Sequence, residues 1–519
     1  VLAFRKFAQS LFGRPPLQQV SAPRKLFLAE FNSVTRLNFS FAYLALNARS
    51  SGSETWSYFW DPWNSEPAPT FKRLVKAKIK WALRLGALGT YRAYGFSRHI
   101  EVAEKRRDRE NGAALASKFF SSHPSKRDLL AYRFDDVLIG DLIYDTWLSA
   151  RHQTVDLSSA EFRRFFSRCC SYASWWSNFL SKNYVSGLVV SHPVYMWALP
   201  ARLLNHLGTR AYVSALKRVD IVTEASIDEP HNFPSDFQKM FPQERTRALG
   251  EAKEFLEGRV QGEKDIFETR PVNRPFAPQA MSQAQAEQTG GPEIRILVAV
   301  HSFFDAPHFF GLGIFEDVYE WLQFLAELSR ETSFTWLVKP HPFYAGEPTA
   351  AIEKIFESAG NCEVISPSVT HSELISGGLN AVLTIWGTVG IDFAYLGVPV
   401  INAHTNNPHC AYQFNLHPRT KVELREAILN IPTSISLEIS ETQVLENLYM
   451  KRFFYSNNIF LDSYPDFANF IEKDAFSTRE NEAVGHYLRK NISSERHSKN
   501  ISVVSDFMAG EERRLFLRS

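Results

Sequence analysis

A chain of 519 residues is too long to close around one hydrophobic core, so at least two domains are expected. A composition of 45% hydrophobic and 22% charged residues excludes a disordered chain, and a net charge of +2 selects no strongly charged partner. Four cysteines without metal-ligand spacing exclude a disulfide scaffold and a zinc module, and point to a reducing compartment.

Residues 1–12 set Phe4, Phe7, Ala8 and Leu11 on one helical face with Arg5 and Lys6 beside it. A helix packed on its own protein, a disordered tail and a membrane-surface helix all fit that pattern. Residues 25–31 then read as a first strand, 35–49 as a helix and 54–59 as a second strand, which predicts an α/β domain in the N-terminal half. Between residues 67 and 100 there is no acidic residue, while Lys72, Arg73, Lys76, Lys78, Lys80, Arg84, Arg92 and Arg98 all occur. Phe71, Leu74, Val75, Ile79 and Ala82 give the same stretch an apolar stripe near helical period. Such a helix can lie on an anionic membrane or meet an anionic acceptor, and a solvated helix face explains it equally. No recognised nucleic-acid motif accompanies the charge, so no nucleic-acid partner is expected.

Around Gly140 a short strand enters a helix that sets Asp141 and Asp145 one turn apart. A carboxylate there complements the helix dipole or serves as a general base. Residues 161–182 form an aromatic-rich helix and 185–190 a buried strand, which ends in Ser191-His192-Pro193-Val194-Tyr195. His192 is a candidate ligand or base, and equally a capping or core histidine. A helix to about residue 207 and a strand over 209–213 complete the unit.

Residues 271–292, with their prolines and Gly290-Gly291-Pro292, read as a linker. Beyond it, strand-length apolar runs at 295–300, 334–339, 362–365, 381–385 and 398–401 alternate with helical patterns at 315–330, 349–358, 371–376 and 388–396. This predicts a doubly wound parallel sheet with ligands at the carboxyl ends of its strands. A helix over 421–429 and further helices to about 474 follow, then a polar, charged tail from 477 for which partly helical and disordered readings both stand. The domain plan is therefore an extension at 1–24, an N-terminal domain at 25–270 and a linker at 271–293. It continues with a C-terminal domain at 294–435, helices at 436–475 and the tail at 476–519. No run approaches about 18 apolar residues and no signal-cleavage pattern opens the chain, so a cytoplasmic protein is expected, with the inner membrane face as a peripheral site.

The polar residues at the strand ends are His301-Ser302, Lys339-Pro340-His341-Pro342 and Trp386-Gly387-Thr388. Gly387 permits a sharp turn, and Thr388 can cap a helix whose N–H groups would receive a nucleotide phosphate. Asp392, one turn further on, can accept from ribose hydroxyls. The two prolines pin His341, which with Lys339 can offset charge on a phosphate leaving group. Thr370 and Glu373 form a capping-box pattern that needs no function, and His371 inside it is a cleft candidate.

The series His301-Ser-Phe-Phe-Asp-Ala-Pro-His308, Phe315-Glu-Asp-Val-Tyr-Glu-Trp321, Lys339-Pro-His-Pro342 and Gly387-Thr-Val-Gly-Ile-Asp392 resembles bacterial capsule and surface-polysaccharide biosynthesis proteins. These are GT-B-type glycosyltransferases, similar in motif to Kdo- and sialyltransferases that use CMP-sugars. The match covers roughly residues 294–418, and Gly140–Asp145 and Ser191–Tyr195 also look familiar from such proteins. The resemblance implies two facing Rossmann-like domains, a nucleotide-sugar donor held mainly by the C-terminal one, a saccharide or glycolipid acceptor, and no metal or other cofactor. It further implies that His341 meets the donor phosphate and that Trp386, Gly387 and Thr388 line the phosphate and nucleoside pocket. Asp392 stands where relatives often carry Glu. Asp141 is the first choice of general base, followed by Asp145 and His192. The function expected is inverting, metal-independent sugar transfer. A sugar-nucleotide 2-epimerase, a polyol-phosphate transferase and a non-catalytic assembly scaffold are the alternatives.

Overall fold

A computed structural model describes residues 2–13, 25–61, 71–214, 216, 218–224, 230–260, 294–341, 347–431, 439–454, 460–461 and 480–515. The expected linker at 271–293 and Pro342 lie outside these residues. The chain divides into two units, one of Val1–Trp147, Asp156–Ile227 and Ser456–Ser519, the other of Leu148–Val155 and Asp228–Tyr455.

Strands β1 (Leu26–Glu30), β2 (Glu54–Phe59), β3 (Arg98–Glu101), β4 (Arg133–Phe134), β5 (Val137–Leu138), β6 (Val185–Val190), β7 (Ala211–Ser214) and β8 (Val219–Ile221) belong to the N-terminal unit. The C-terminal unit holds β9 (Arg295–Ala299), β10 (Thr335–Lys339), β11 (Cys362–Val364), β12 (Leu379–Thr384) and β13 (Val400–Asn402). The chain then returns to the first unit and ends in β14 (Arg514–Leu515).

The N-terminal sheet runs β14-β8-β7-β6-β1-β2-β3. Its five strands from β7 to β3 are parallel, and β8 and β14 close that edge antiparallel. All five residues of β1 are buried, as a central parallel strand covered on both faces must be. Phe12, Phe39, Tyr43 and Tyr94 meet edge to face in this core, with Phe12 and Tyr43 centred 4.9 Å apart.

Two readings that the sequence leaves open resolve here. The residues read as an N-terminal extension supply a helix, Leu2–Phe12, whose Phe4, Ala8 and Phe12 are buried in this core. The polar tail forms helices Glu480–Asn491 and Ser494–Ala509, which bury Val484, Leu488, Val504 and Phe507 in the same cluster. Their apolar residues recur at three- and four-residue spacing, so each helix has a face to bury even though its composition is polar.

The C-terminal sheet runs β11-β10-β9-β12-β13 and is parallel throughout. Numbered in chain order, the five parallel strands of each sheet follow the sequence 3-2-1-4-5, the order of a Rossmann-like fold. The predicted pair of Rossmann-like, doubly wound parallel domains is therefore what the chain forms. The topological switch lies between β1 and β6 in one unit and between β9 and β12 in the other. The boundary expected at 270 falls earlier, after Ile227. The reason is that helix Pro242–Val260 buries Ala248, Ala252 and Leu256 against Ile391, Ala394, Val444 and Leu448 of the C-terminal unit. Among the described residues no helix is long and apolar enough to cross a membrane.

Candidate functional site

Because β10, β9, β12 and β13 are parallel neighbours, the residues that follow them emerge at one edge of the C-terminal sheet. His301 follows β9, His341 follows β10, Trp386 follows β12 and His404 follows β13. The His301 ring lies 4.8 Å from that of Trp386 and 5.9 Å from that of His341. Trp386 in turn stands edge-on to His404 at 5.2 Å. Gly387 has φ of +133°, a region closed to side chains, and lets the chain turn from β12 into helix Val389–Tyr395.

Burial sets the charge state of this cluster. It pushes His301, His341 and His404 down to about 4, so all three rings are neutral at pH 7. Lys451 presses His301 further in that direction, and His301 and Lys339 do so for His341. Burial lowers the Lys339 ammonium to about 8, with Glu373 pulling it partly back. At neutral pH the edge thus carries a lysine charge and neutral imidazoles in a poorly solvated setting. Such a set can donate hydrogen bonds to an oxyanion with little cost of reorganisation, and the indole offers a face for a flat or apolar ligand. His404 accepts from Asn406 N at 3.1 Å through Nδ1 and faces the Gly311 carbonyl at 3.3 Å through Nε2. Its ring is therefore held in place behind Trp386.

His371 lies close enough to Lys339 for that charge to act on it, and the other predicted residues of this domain serve local structure. Ser302 is buried, and its hydroxyl accepts from Phe304 N at 3.1 Å, shaping its own loop. Thr370 and Glu373 make the expected reciprocal capping box, and His371 is buried against Phe393 at 4.4 Å. Asp392 was expected to receive ribose hydroxyls, yet it is buried and accepts from Arg259 Nη2 at 3.1 Å. Its carboxylate serves an ion pair inside the unit. Thr388 was expected to cap the next helix with its hydroxyl. Its backbone is already helical, at φ −64° and ψ −24°, and the side chain makes no capping bond.

The N-terminal sheet has a switch point of its own, and its principal residue escaped the sequence reading. Glu30 ends β1, and Ser191 follows the adjacent β6. Ser191 donates to the Glu30 carboxylate through its N–H at 2.8 Å and its hydroxyl at 2.9 Å. The same hydroxyl lies 2.7 Å from His192 Nδ1. Burial raises the Glu30 carboxyl to about 7, against the lowering effect of the two Ser191 bonds. When Glu30 is ionised it accepts the hydrogen bond of the serine hydroxyl, and the serine oxygen accepts from Nδ1–H. The chain His192–Ser191–Glu30 then fixes the imidazole tautomer. The only hint in the sequence was a carboxylate closing an otherwise apolar strand.

Beyond His192, Tyr195 takes φ of +59° and Met196 N donates to Thr146 Oγ1 at 2.7 Å. That bond ties the histidine loop to helix Gly140–Ser149. Gly140 is required there, because a Cβ would stand 1.8 Å from the Leu129 carbonyl oxygen. Asp141, the first choice of base, is instead clasped by Arg202, with both carboxylate oxygens held at 2.7 Å. Arg202 also donates to Leu138 O at 2.9 Å, so Asp141 anchors the start of its helix. Asp145 is buried one turn further on.

No family model matches this chain, and no curated protein matches its sequence. Solved structures with some likeness include a UDP-GlcNAc 2-epimerase from Neisseria meningitidis bound to UDP-GlcNAc, at 8% identity and a TM-score of 0.25. That likeness covers 82% of this chain and 98% of the epimerase. A glycosyltransferase from Rickettsia africae is similar at 10% identity and a TM-score of 0.24, over 95% of this chain and all (100%) of that one. Acinetobacter baumannii MurG gives 9% identity and a TM-score of 0.20, over 93% and 100% of the two chains. Likeness at this level assigns no activity. The class of the protein, two Rossmann-like domains in one chain, rests on the strand orders described above.

Proposed function

We propose that this protein is a nucleotide-sugar-dependent glycosyltransferase of GT-B type, inverting and metal-independent, that extends a bacterial surface polysaccharide or glycolipid. The observation that carries the reading is the convergence of His301, His341, Trp386 and the lowered Lys339 at the switch point of the C-terminal sheet. That edge suits the phosphates and base of a nucleotide sugar, with a CMP-sugar among the donors it can take. His341 and Lys339 donate to the phosphate oxygens as negative charge accumulates there.

The base is assigned to His192 of the N-terminal unit, oriented by Ser191 and Glu30. The acceptor hydroxyl loses its proton to His192 Nε2 while its oxygen bonds to the anomeric carbon. The bond from that carbon to the phosphate oxygen breaks, and the nucleotide leaves with the electron pair. As the imidazole becomes cationic, Glu30 offsets its charge through the serine. Incubation with nucleotide sugars and acceptor glycans, followed by product analysis, tests the reading. A glycosylated acceptor with inverted anomeric configuration supports it. An epimerised nucleotide sugar formed without acceptor would overturn it in favour of an isomerase.

A further inference from the structure

We infer that helix Phe71–Ala82 docks the protein on an anionic lipid bilayer. The helix holds to its own unit by one face and presents the other outward. On the inner side Ala77 is buried and Trp81 stacks on His99 at 5.9 Å, with the Arg92 guanidinium 5.7 Å from the indole centre. On the outer side Val75 and Ile79, one turn apart, are 37% and 50% exposed. The stripe continues past the end of the helix through Leu83 and Leu85, at 64% and 47%. Lys76 and Lys80 flank this apolar line on one side and Lys78 on the other, and all three are exposed.

The end of the helix is built to hold that surface in place. Arg5 donates to the Arg84 carbonyl at 2.6 Å and to the Gly86 carbonyl at 2.9 Å, and Arg92 donates to the Trp81 carbonyl at 3.1 Å. Arg84 and Gly86 both take positive φ, at 54° and 55°, so Leu83 and Leu85 lie on a fixed turn. A helix merely facing water would carry polar residues at 75, 79 and 83. A soluble polyanion would engage the lysines but find no use for the aliphatic stripe. An anionic bilayer uses both, taking the apolar side chains below the headgroups while the lysine stems reach up to the phosphates. The absence of any acidic residue from 67 to 100 removes local repulsion from such a surface. This docking stands whether or not the sheets carry out sugar transfer.

Sedimentation of the full chain with vesicles of phosphatidylglycerol and phosphatidylcholine, against phosphatidylcholine alone, is the test. Binding only to the anionic vesicles is expected, weakened at least about tenfold in Ile79→Glu/Leu83→Glu and in Lys76→Glu/Lys78→Glu/Lys80→Glu. Both sets of changes lie on exposed positions, and an unchanged melting temperature verifies the fold. Two results would overturn the proposal: no binding by the native chain, or vesicle binding by Ile79→Ser/Leu83→Ser equal to that of the native chain, which would identify a partner that reads the lysines alone.

Discussion

Glu30 and Ser191 sit 161 residues apart in the chain, yet the serine spends both its N–H and its hydroxyl on the glutamate carboxylate. The contact spans the two adjacent strands where the N-terminal sheet reverses its winding, and it sets the donor pattern that His192 meets.

Glu30→Gln should therefore separate chemistry from folding. The amide still pairs with Ser191, but its NH2 donates to the serine oxygen and turns the hydroxyl proton toward His192 Nδ1. The ring is then driven to its other tautomer and loses basicity at Nε2. A drop in kcat of about a hundredfold or more, with KM little changed, is expected from steady-state assays. Unaltered kcat would remove Glu30 and Ser191 from the proton path.

The same residue predicts a pH effect on stability. Glu30 has its folded value raised to about 7 from 4.5, so the folded state binds the proton more tightly across that range. The associated stability is present below the unfolded value and is lost as pH rises toward about 7. Glu30→Gln, which has no proton to lose, should gain stability over the native chain at pH 8 relative to pH 4. The differential is on the order of 3 kcal/mol. Urea unfolding at both pH values reads it directly.

Lys339 gives the opposite limb for ligand binding. Its ammonium, lowered to about 8 by burial, is charged at pH 7 and discharged above its folded value. Nucleotide affinity should fall as pH rises through about 8, and Lys339→Met should flatten that dependence. Calorimetric titration at pH 7 and pH 9 distinguishes the two. A native chain whose affinity is flat across this range would mean that Lys339 does not meet the phosphate.

Asp141 and Arg202 make a contrasting prediction. Removing one partner leaves a buried, uncompensated charge, so Asp141→Asn should cost about 3 to 5 kcal/mol of stability. Asp141→Asn/Arg202→Met should recover part of that loss in denaturant unfolding. A stable Asp141→Asn variant with abolished turnover would return Asp141 to the role of base.

Much of the fold was legible because parallel strands covered on both faces must be apolar throughout. All five strands of the C-terminal sheet fall within a few residues of their predicted places. Their ends also identified His301, His341 and Trp386, because residues following neighbouring parallel strands share an edge. What stayed hidden is what depends on distant partners. Asp141 pairs with Arg202 across 61 residues and Asp392 with Arg259 across 133, and no local pattern reveals that these carboxylates are already engaged. Glu30 was missed for the same reason. Val504 and Phe507 gave the tail a helical face, but its packing partners on helix Thr35–Ser50 lie more than 450 residues earlier in the chain.

The central claim is that the C-terminal switch point binds a nucleotide through His341, and a thermal-shift series against CMP, CDP, UDP, UMP, GDP and dTDP tests it most directly. A nucleotide present at about 100 times its Kd adds about 2.7 kcal/mol to the folded state, a clear rise in Tm. The account predicts such a rise with one nucleotide class for the native chain and its loss in His341→Ala of unchanged intrinsic Tm. A rise that survives intact in His341→Ala and in Lys339→Met, or no rise with any nucleotide, would contradict it.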